Sequence, residues 1–454
     1  MRTNLMAALV LGGAVLLAGC DDESFVVPDL NNPGLEELAT NPTPDIVREA
    51  AVGLLIGSRQ GMHGQISFVS HLGILGRESL VFDPSDPRYM DQMVDGTLVN
   101  GDGAFGGSLW SNRYANMRLG SVLLGATDIV QGFTAAELEA IRGFTKFIMA
   151  SDLLRVILTR DANGAVATIL PLGEGSAPLV EAPAVYDRIE TLLGEAVGHL
   201  DSGGEAFPFQ LSPGYADFAT PAELIEAVHA LHARVDVYRE DYDGALTHLA
   251  SSFVSTAADL DLGVYHSFGS QSGDQTNGLF QGSDPQIVAY PTMDDDAEPG
   301  DQRAEDKLAP LPSQKTLQGV SSDLRFTIYN SLTTPVPMIR NEELILLRAE
   351  ARWFTGDLVG AMSDLNFVRT ESGGLPPILT IPTSDEAFID ALLYERQFSL
   401  LFEGGHRWID HRRFGRLDEL PNPRPGDFVP AAFPIPQSEC LAREAGDQCE
   451  APLP

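Results

Sequence analysis

The chain has 454 residues and a formal net charge of −35, from 29 basic and 64 acidic residues. A surface with this excess of carboxylates repels phosphate backbones and anionic lipids, which argues against nucleic-acid binding and against membrane binding through a basic patch. Hydrophobic residues make up 44% of the chain, enough for a sizeable core, so a folded protein is expected rather than a disordered one.

The N-terminus has the features of a bacterial lipoprotein signal. Arg2 precedes an apolar run over residues 5–18, which is too short to span a bilayer well. The run ends in Leu-Ala-Gly-Cys at Cys20, which resembles a lipobox; an ordinary secretory signal with a chance cysteine is the alternative. We expect residues 1–19 to be a signal peptide and Cys20 to carry the lipid anchor.

Residues 20–44 are rich in Pro and Asn, which predicts a flexible tether between the lipidated cysteine and a folded domain over residues 45–454. The tether begins with acidic residues 21–23, which resemble surface-export signals of some Gram-negative lipoproteins. In enterobacteria, Asp at this place would instead hold a lipoprotein at the inner membrane, and the sequence leaves both destinations open.

Helical periodicity dominates the rest of the chain. Apolar residues recur at helical spacing over residues 45–59, 110–130, 135–158, 183–200, 221–253, 341–370 and 384–402. No long run alternates apolar and polar residues, which argues against an all-β fold. Long helix-poor stretches lie at 77–108 and 267–334.

Two helical segments match each other. Residues 237–249 and 353–365 align without gaps on the pattern Asp, apolar, x, Gly, Ala, apolar, x, x, Leu, with small residues at Ala245 and Ala361 where two helices approach closely. A chance similarity of two helical hairpins is the alternative. We predict an all-α-dominated fold, a scaffold of tetratricopeptide-like helical hairpins with long loop insertions.

Metal binding is one chemical alternative. Residues 226–229 and 403–406 are both Glu-x-x-His motifs, of the kind that hold two irons in helical bundles with further glutamates such as Glu139 and Glu343. A Gly pair interrupts the second motif, and two such short matches are expected by chance. The acidic run 294–301 could bind Ca²⁺, but it lacks EF-hand spacing and suits a solvated turn. We therefore predict no metal site and no cofactor.

Cys440 and Cys449 enclose a short loop near the C-terminus. In an oxidising envelope compartment we expect them to form a disulfide. A metal site is less favoured, because no second Cys pair or His lies beside them.

Exposed aromatic residues on loops are candidates for ligand stacking, because a flat apolar ring binds a sugar or peptide at low entropic cost. Burial in the core is the alternative role for each ring. The candidates are Tyr89, Phe105, Trp110, Tyr265, Phe268 and Tyr290.

The segment 395–413 concentrates charge between large apolar residues. Read as a helix, it places its apolar residues on one face and leaves its charges to pair with one another or with backbone carbonyls. We predict a structural clamp of partly buried ion pairs that orients the last helix against the scaffold. Its members are Glu395, Arg396, Glu403, Arg407, Asp410 and Arg412.

In this order along the chain, the motifs resemble those of the SusD/RagB family of outer-membrane nutrient-binding lipoproteins. The motifs that carry the resemblance are the lipobox and segments 110–116, 140–153, 183–189, 230–249, 343–351, 395–412 and 433–439. The most specific of them is Glu-Arg…Phe-Glu-Gly…His-Arg-Trp…Asp…Arg over 395–412.

The resemblance implies a tetratricopeptide-like scaffold without enzyme activity, anchored at the outer membrane on the cell surface. It implies that the protein covers a TonB-dependent SusC-like barrel and captures glycans or peptides for import. Family members with a known glycan often present an arc of aromatic rings, which here would lie in the loops 77–110 and 265–290. The chain has only three Trp, which argues against a starch-like platform. A lipid-anchored glycan-degrading enzyme and a purely structural scaffold for protein partners are the other readings.

Overall fold

The computed structural model describes residues 34–443 except 172 and 176. The predicted signal peptide, Cys20 and Cys449 lie outside the described residues, so lipidation and the Cys440–Cys449 disulfide stay predictions. Among the described helices, none is both long enough and apolar enough to cross a membrane.

Helices make up most of the described structure, which confirms the predicted fold class. Numbered in chain order, they are α1 (Leu35–Thr40), α2 (Pro44–Arg59), α3 (Phe68–Leu75), α4 (Ser108–Ala126), α5 (Ala135–Arg160), α6 (Ala182–Asp201), α7 (Pro221–Tyr238), α8 (Tyr242–Ala250), α9 (Gln302–Lys307), α10 (Asn341–Phe354), α11 (Leu358–Glu371), α12 (Asp385–Ser399), α13 (His406–Arg413) and α14 (Gln437–Ala442). The short helix α1 lies inside the predicted tether and buries Leu38, so regular structure begins before residue 45.

The predicted helical hairpins are present as α7–α8 and α10–α11. Asp241 and Asp357 end the two turns, and each side chain accepts a hydrogen bond from a backbone N–H three residues later, at 3.0 and 2.9 Å. Such a cap satisfies a donor that the first helical turn leaves unpaired. Ala245 and Ala361 are fully buried where the paired helices meet, as the shared pattern predicts.

The helix-poor stretches contain small antiparallel sheets that the sequence analysis missed. The strands are β1 (Ser79–Val81), β2 (Gly263–His266), β3 (Ile287–Ala289), β4 (Leu308–Leu317), β5 (Val320–Phe326) and β6 (Val336–Arg340). They form three two-stranded pairs, β1–β3, β2–β6 and β4–β5. The last pair is a hairpin whose two turn residues, Gln318 and Gly319, both have positive φ, at 49° and 82°. Positive φ at both positions matches the twist of paired strands.

A ring of four buried charges joins three helices near the C-terminus. Glu350 of α10 pairs with Arg396 of α12 at 2.7 Å and with Arg413 of α13 at 2.6 Å. Asp410 of α13 pairs with the same two arginines, at 3.1 and 3.0 Å. The two positive and two negative groups compensate one another inside the protein, where an unpaired charge would be costly. We call this set the four-charge ring.

The predicted clamp residues are buried, but most of their partners lie elsewhere in the chain. Arg396–Asp410 is the single ion pair within the predicted set. Glu395 binds two arginines outside it, and Glu403 binds Arg340 at 2.8 Å together with Lys307. The two remaining arginines, Arg407 and Arg412, donate to backbone carbonyls. Arg407 and Arg412 thus bind backbone carbonyls, as predicted, but pairing within the segment was too narrow a prediction, because its ion-pair partners also lie on β6, α9, α10 and α11.

The second glycine of the Gly404–Gly405 pair has a steric cause. Gly405 has φ +78°, and a Cβ added there would lie 2.2 Å from the Cβ of Leu72 in α3. Only glycine combines that backbone conformation with so close a helix contact. The interruption that argued against a Glu-x-x-His metal motif is thus a packing feature.

Removing one carboxylate of the four-charge ring should destabilise the fold strongly. In Glu350→Ala, Arg396 and Arg413 share Asp410 alone, which leaves a buried positive charge without compensation. We expect the free energy of unfolding to fall by about 3–5 kcal/mol, measured by urea denaturation.

The matched control is Asp390→Ala. It breaks an ion pair with Arg416 in which the Asp390 side chain is 67% exposed, and it should cost less than about 1 kcal/mol. Equal losses for the two variants would contradict a structural role for the ring.

Candidate functional site

Five of the six aromatic residues predicted to bind ligand are buried in the core. Tyr89, Phe105, Trp110, Phe268 and Tyr290 are each at most 7% exposed. Their faces are occupied by other residues: the Tyr89 and Phe105 rings lie 4.7 Å apart edge to face, and the Trp110 ring lies 4.6 Å from that of Tyr114. A ring buried to this degree presents no face to a ligand, so in this structure the five contribute packing. Tyr265 alone in the set stays partly exposed.

Tyr265 lies at a groove formed by three segments that are distant in the sequence. One wall is the second half of α2, the opposite wall is the segment 206–219, and the third side is β2 with the loop 267–274. Two adjacent cavities, of about 350 and 360 Å³, share residues 210–213 and Tyr215. We call the two together the α2 groove.

The walls of the α2 groove are largely apolar. Val52, Leu55 and Ile56 line it from α2, and Leu211 and Pro213 line it from the other side. Ile56 is 48% exposed, an unusual position for a large aliphatic side chain on a surface as charged as this one. Apolar walls beside a partly exposed tyrosine suit the flat faces of sugar rings or the side chains of a peptide.

Charged groups are few and lie at one side of the groove. Arg59 donates to the Ser267 carbonyl at 2.6 Å and pairs with Asp274 at 2.7 Å. The backbone N–H of Gln275 and the Arg59 guanidinium hold the pKa of Asp274 below its usual range, against the effect of burial. Asp274 is therefore an ionised hydrogen-bond acceptor and not a proton donor at neutral pH.

The uncharged polar side chains of Gln210, Ser212 and Ser267 add donors and acceptors around the same opening. The sequence analysis named none of these polar residues. Each is an ordinary loop residue, and only the fold brings them together.

The floor of the groove contains a neutral histidine. His266 is 4% exposed, and its Nε2 lies 2.9 Å from the Arg155 guanidinium. Burial and the neighbouring arginines lower the pKa of His266 well below its usual value, so the ring stays uncharged and accepts from Arg155. The floor is buried and its polar groups bind each other, so the groups available to a ligand lie along the rim.

A larger cavity, of about 600 Å³, lies beside the clamp residues but offers less to a ligand. Its lining includes Arg303, Lys307, Arg340, Glu342 and Glu403. These charges already bind one another or neighbouring carboxylates, so a ligand would have to displace existing ion pairs. The α2 groove is the better candidate.

The two Glu-x-x-His motifs do not form one site. His229 contacts His248 of α8, whereas Glu403 binds Arg340 of β6. Glu139 pairs with Arg142 of its own helix, α5, and with His199 of α6. The acidic run 294–301 was predicted to be a solvated turn, which is wrong for its last residue. Asp301 is 2% exposed and pairs with Arg303.

Comparison with known proteins identifies the type of fold. The model of the SusD family matches residues 316–440. No curated protein matches the chain by sequence. A surface glycan-binding protein A from Bacteroides thetaiotaomicron has a similar structure, with a TM-score of 0.69 at 14% identity, covering 88% of this chain and 98% of that one.

Two further solved structures are similar over nearly their whole length. A SusD superfamily protein from Bacteroides vulgatus gives a TM-score of 0.65 at 13% identity, covering 88% of this chain and 97% of that one. A laminarin-binding SusD-like protein gives 0.62 at 19% identity, covering 87% and 97%. These likenesses establish a SusD-like fold for the chain.

The wall formed by residues 206–219 depends on a close backbone contact. The N–H of Gly214 donates to the Ser267 hydroxyl at 2.6 Å, and a Cβ at Gly214 would lie 2.0 Å from the Tyr265 carbonyl oxygen. We expect Gly214→Ala to push this wall from β2 and to cost about 1–3 kcal/mol in the free energy of unfolding. Urea denaturation measures the loss.

Gly194→Ala is the matched control. Gly194 is an exposed residue of α6 with nothing near the added Cβ, so this variant should gain up to about 1 kcal/mol. A neutral Gly214→Ala would show that the two segments do not pack as described.

Proposed function

The chain is a SusD/RagB family protein, and we propose that it captures an oligomeric nutrient at the cell surface and delivers it to a TonB-dependent SusC-like barrel in the outer membrane. The nutrient is a glycan, with a peptide as the alternative cargo. The observation that carries the proposal is the α2 groove, an open cleft with apolar walls, one partly exposed tyrosine and a rim of mostly uncharged polar groups.

The groove favours binding over hydrolysis. A glycoside hydrolase needs two carboxyl groups on opposite sides of the scissile bond, one of them able to donate a proton. Asp274 is the one carboxylate among the described residues that line the groove, and Arg59 and the Gln275 N–H keep it ionised. The groove therefore supports a capture protein without catalytic residues.

The likeness to glycan-binding structures favours a carbohydrate as the cargo. The similar solved structures include a surface glycan-binding protein and a laminarin-binding one. In the present chain, Tyr265 and Ile56 would contact the apolar faces of sugar rings. Arg59, Gln210 and Ser212 would contact hydroxyl groups.

Binding should be measured for a panel of soluble glycans that includes laminarin and starch oligosaccharides, and for short peptides, by isothermal titration calorimetry. For a glycan that binds, Tyr265→Ala should weaken the affinity about tenfold, because it removes the ring face. Ile56→Ala should weaken it less. Reducing-end release, followed in the same samples, should stay at background.

Ile129→Ala provides the matched control, because Ile129 is 50% exposed, like Ile56, but lies in the turn after α4, outside the groove. It should leave the affinity unchanged. Glycan affinity that survives Tyr265→Ala and Ile56→Ala in folded protein would place the binding site elsewhere. Turnover of a glycan would favour the enzyme reading.

Membrane anchoring is tested separately. Cys20→Ser removes the predicted lipid attachment site, and we expect the protein to leave the membrane fraction while its melting temperature stays the same. Fractionation with metabolic fatty-acid labelling provides the measurement. Labelled, membrane-bound Cys20→Ser protein would refute the lipoprotein assignment.

Delivery to a transporter predicts a physical complex. A SusC-like barrel encoded beside this gene should co-purify with the wild-type chain from detergent-solubilised outer membranes. Recovery of the chain alone under conditions that preserve the barrel would count against the delivery step.

A further inference from the structure

A cluster of histidines lies inside the first helical hairpin, away from the α2 groove. His232 and Asp236 of α7 and His248 of α8 place three possible metal-ligand atoms within 4.8 Å of one another. The Nε2 atom of His232 lies 3.8 Å from Asp236 Oδ1, and that of His248 lies 4.0 Å from Asp236 Oδ2. Two imidazoles thus face the two oxygens of one carboxylate.

The carboxylate of Asp236 is buried without compensation. Asp236 is 3% exposed, and its Oδ2 has no hydrogen-bond partner. Arg239, one turn further along, is bound by Asp187 at 2.9 Å and by Glu190 at 2.5 Å. A buried carboxylate with an unsatisfied oxygen is costly unless a proton or a cation lies beside it.

A third histidine can orient one of the ligands. His229 Nδ1 and His248 Nδ1 lie 2.9 Å apart, so one ring donates to the other. When His248 is the donor, its Nε2 carries a lone pair that points toward Asp236. Histidines that bind metals nearly always donate their other ring nitrogen to a neighbour in this way, which fixes the tautomer.

In the second hairpin, the side chains at the same three positions compensate one another's charge. In the alignment of the two hairpins, His232, Asp236 and His248 correspond to Arg348, Arg352 and Asp364. In the second hairpin, Asp364 accepts from both arginines, at 2.8 and 2.7 Å.

Two fixed cations therefore compensate the carboxylate in the second hairpin. In the first hairpin the carboxylate faces two imidazoles, which are not fixed cations. The first hairpin lacks the positive charge that its counterpart contains.

We propose that His232, Asp236 and His248 bind a divalent transition-metal ion, Zn²⁺ in the first place, which joins α7 to α8. Imidazole nitrogen and carboxylate oxygen are ligands that zinc accepts, with three protein ligands and an open fourth position as a common arrangement. The side chains of His232 and His248 are 13% and 25% exposed, so an ion can reach the site from solvent. Water would complete the coordination.

Binding requires a small local adjustment. The His232 and His248 rings stack with centroids 3.8 Å apart and planes 17° apart. Ligand atoms about 2.0–2.1 Å from zinc at tetrahedral angles lie roughly 3.4 Å from one another. The two rings must therefore tilt out of their stack toward the carboxylate. The nearby carboxylates of Glu190 and Asp241 add to the negative potential at the site.

The test uses the full chain, purified in detergent without a polyhistidine tag and freed of metal by chelation. Titration calorimetry with Zn²⁺ should give one ion per chain. Co²⁺ in its place should give the intense visible absorption of a low-symmetry, tetrahedral-like site. Asp236→Asn and His248→Gln should each abolish the cobalt bands and weaken zinc binding more than 100-fold. His229→Ala, which removes only the orienting partner, should weaken it about 10–100-fold.

His199→Gln is the matched control, because the His199 side chain is 25% exposed, like that of His248, and lies on α6 beside Glu139. It should retain full affinity. Absence of stoichiometric zinc, or binding that persists in Asp236→Asn and His248→Gln, would overturn the proposal.

A measurement on the wild-type chain covers the case in which the variants fail to fold. Zinc should protect His232 and His248, but not His199, from modification by diethyl pyrocarbonate, as read by mass spectrometry. Equal modification of the three histidines with and without zinc would also overturn the proposal.

Discussion

The four-charge ring is the constraint on which the C-terminal part of the structure depends. Glu350 and Asp410 supply two carboxylates, and Arg396 and Arg413 reach both of them. Because these charges are buried, each is tolerated only while its partners keep their positions. Helices α10, α12 and α13 are therefore fixed in one arrangement relative to one another. Arginine suits this role because its planar fork binds two carboxylates at once, which a lysine could not do with the same geometry.

The long helices could be predicted from the sequence because the apolar spacing that indicates a helix lies within the helix itself. The periodic apolar residues of 135–158 predict a helix that the structure gives as Ala135–Arg160. The strands could not be predicted in the same way. β1 and β3 have three residues each, and they pair Ser79 with Ala289 across nearly half of the chain. A strand of that length carries no recognisable alternation, and its partner is determined by the tertiary fold.

The candidate site was harder to predict, because its residues become neighbours only in three dimensions. The α2 groove joins residues near 55, 212 and 270, and none of these segments has a distinctive motif. Most of the aromatic residues predicted to bind ligand lie in the core, because a chain with so many loops packs those loops with its large rings. Tyr265 differs in being partly exposed, and its hydroxyl donates to the Asp261 carbonyl.

The two hairpins show how one backbone can carry different polar chemistry. Both use an aspartate cap at the same position and a buried alanine at the helix contact, so their helices approach in the same way. That approach brings three side chains together at equivalent positions. In the second triad, two arginines compensate the charge of the aspartate. Two histidines and an aspartate leave the first triad with a carboxylate that needs a cation. The hairpin geometry is therefore independent of the charge it encloses, and the difference between the triads follows from the side chains alone.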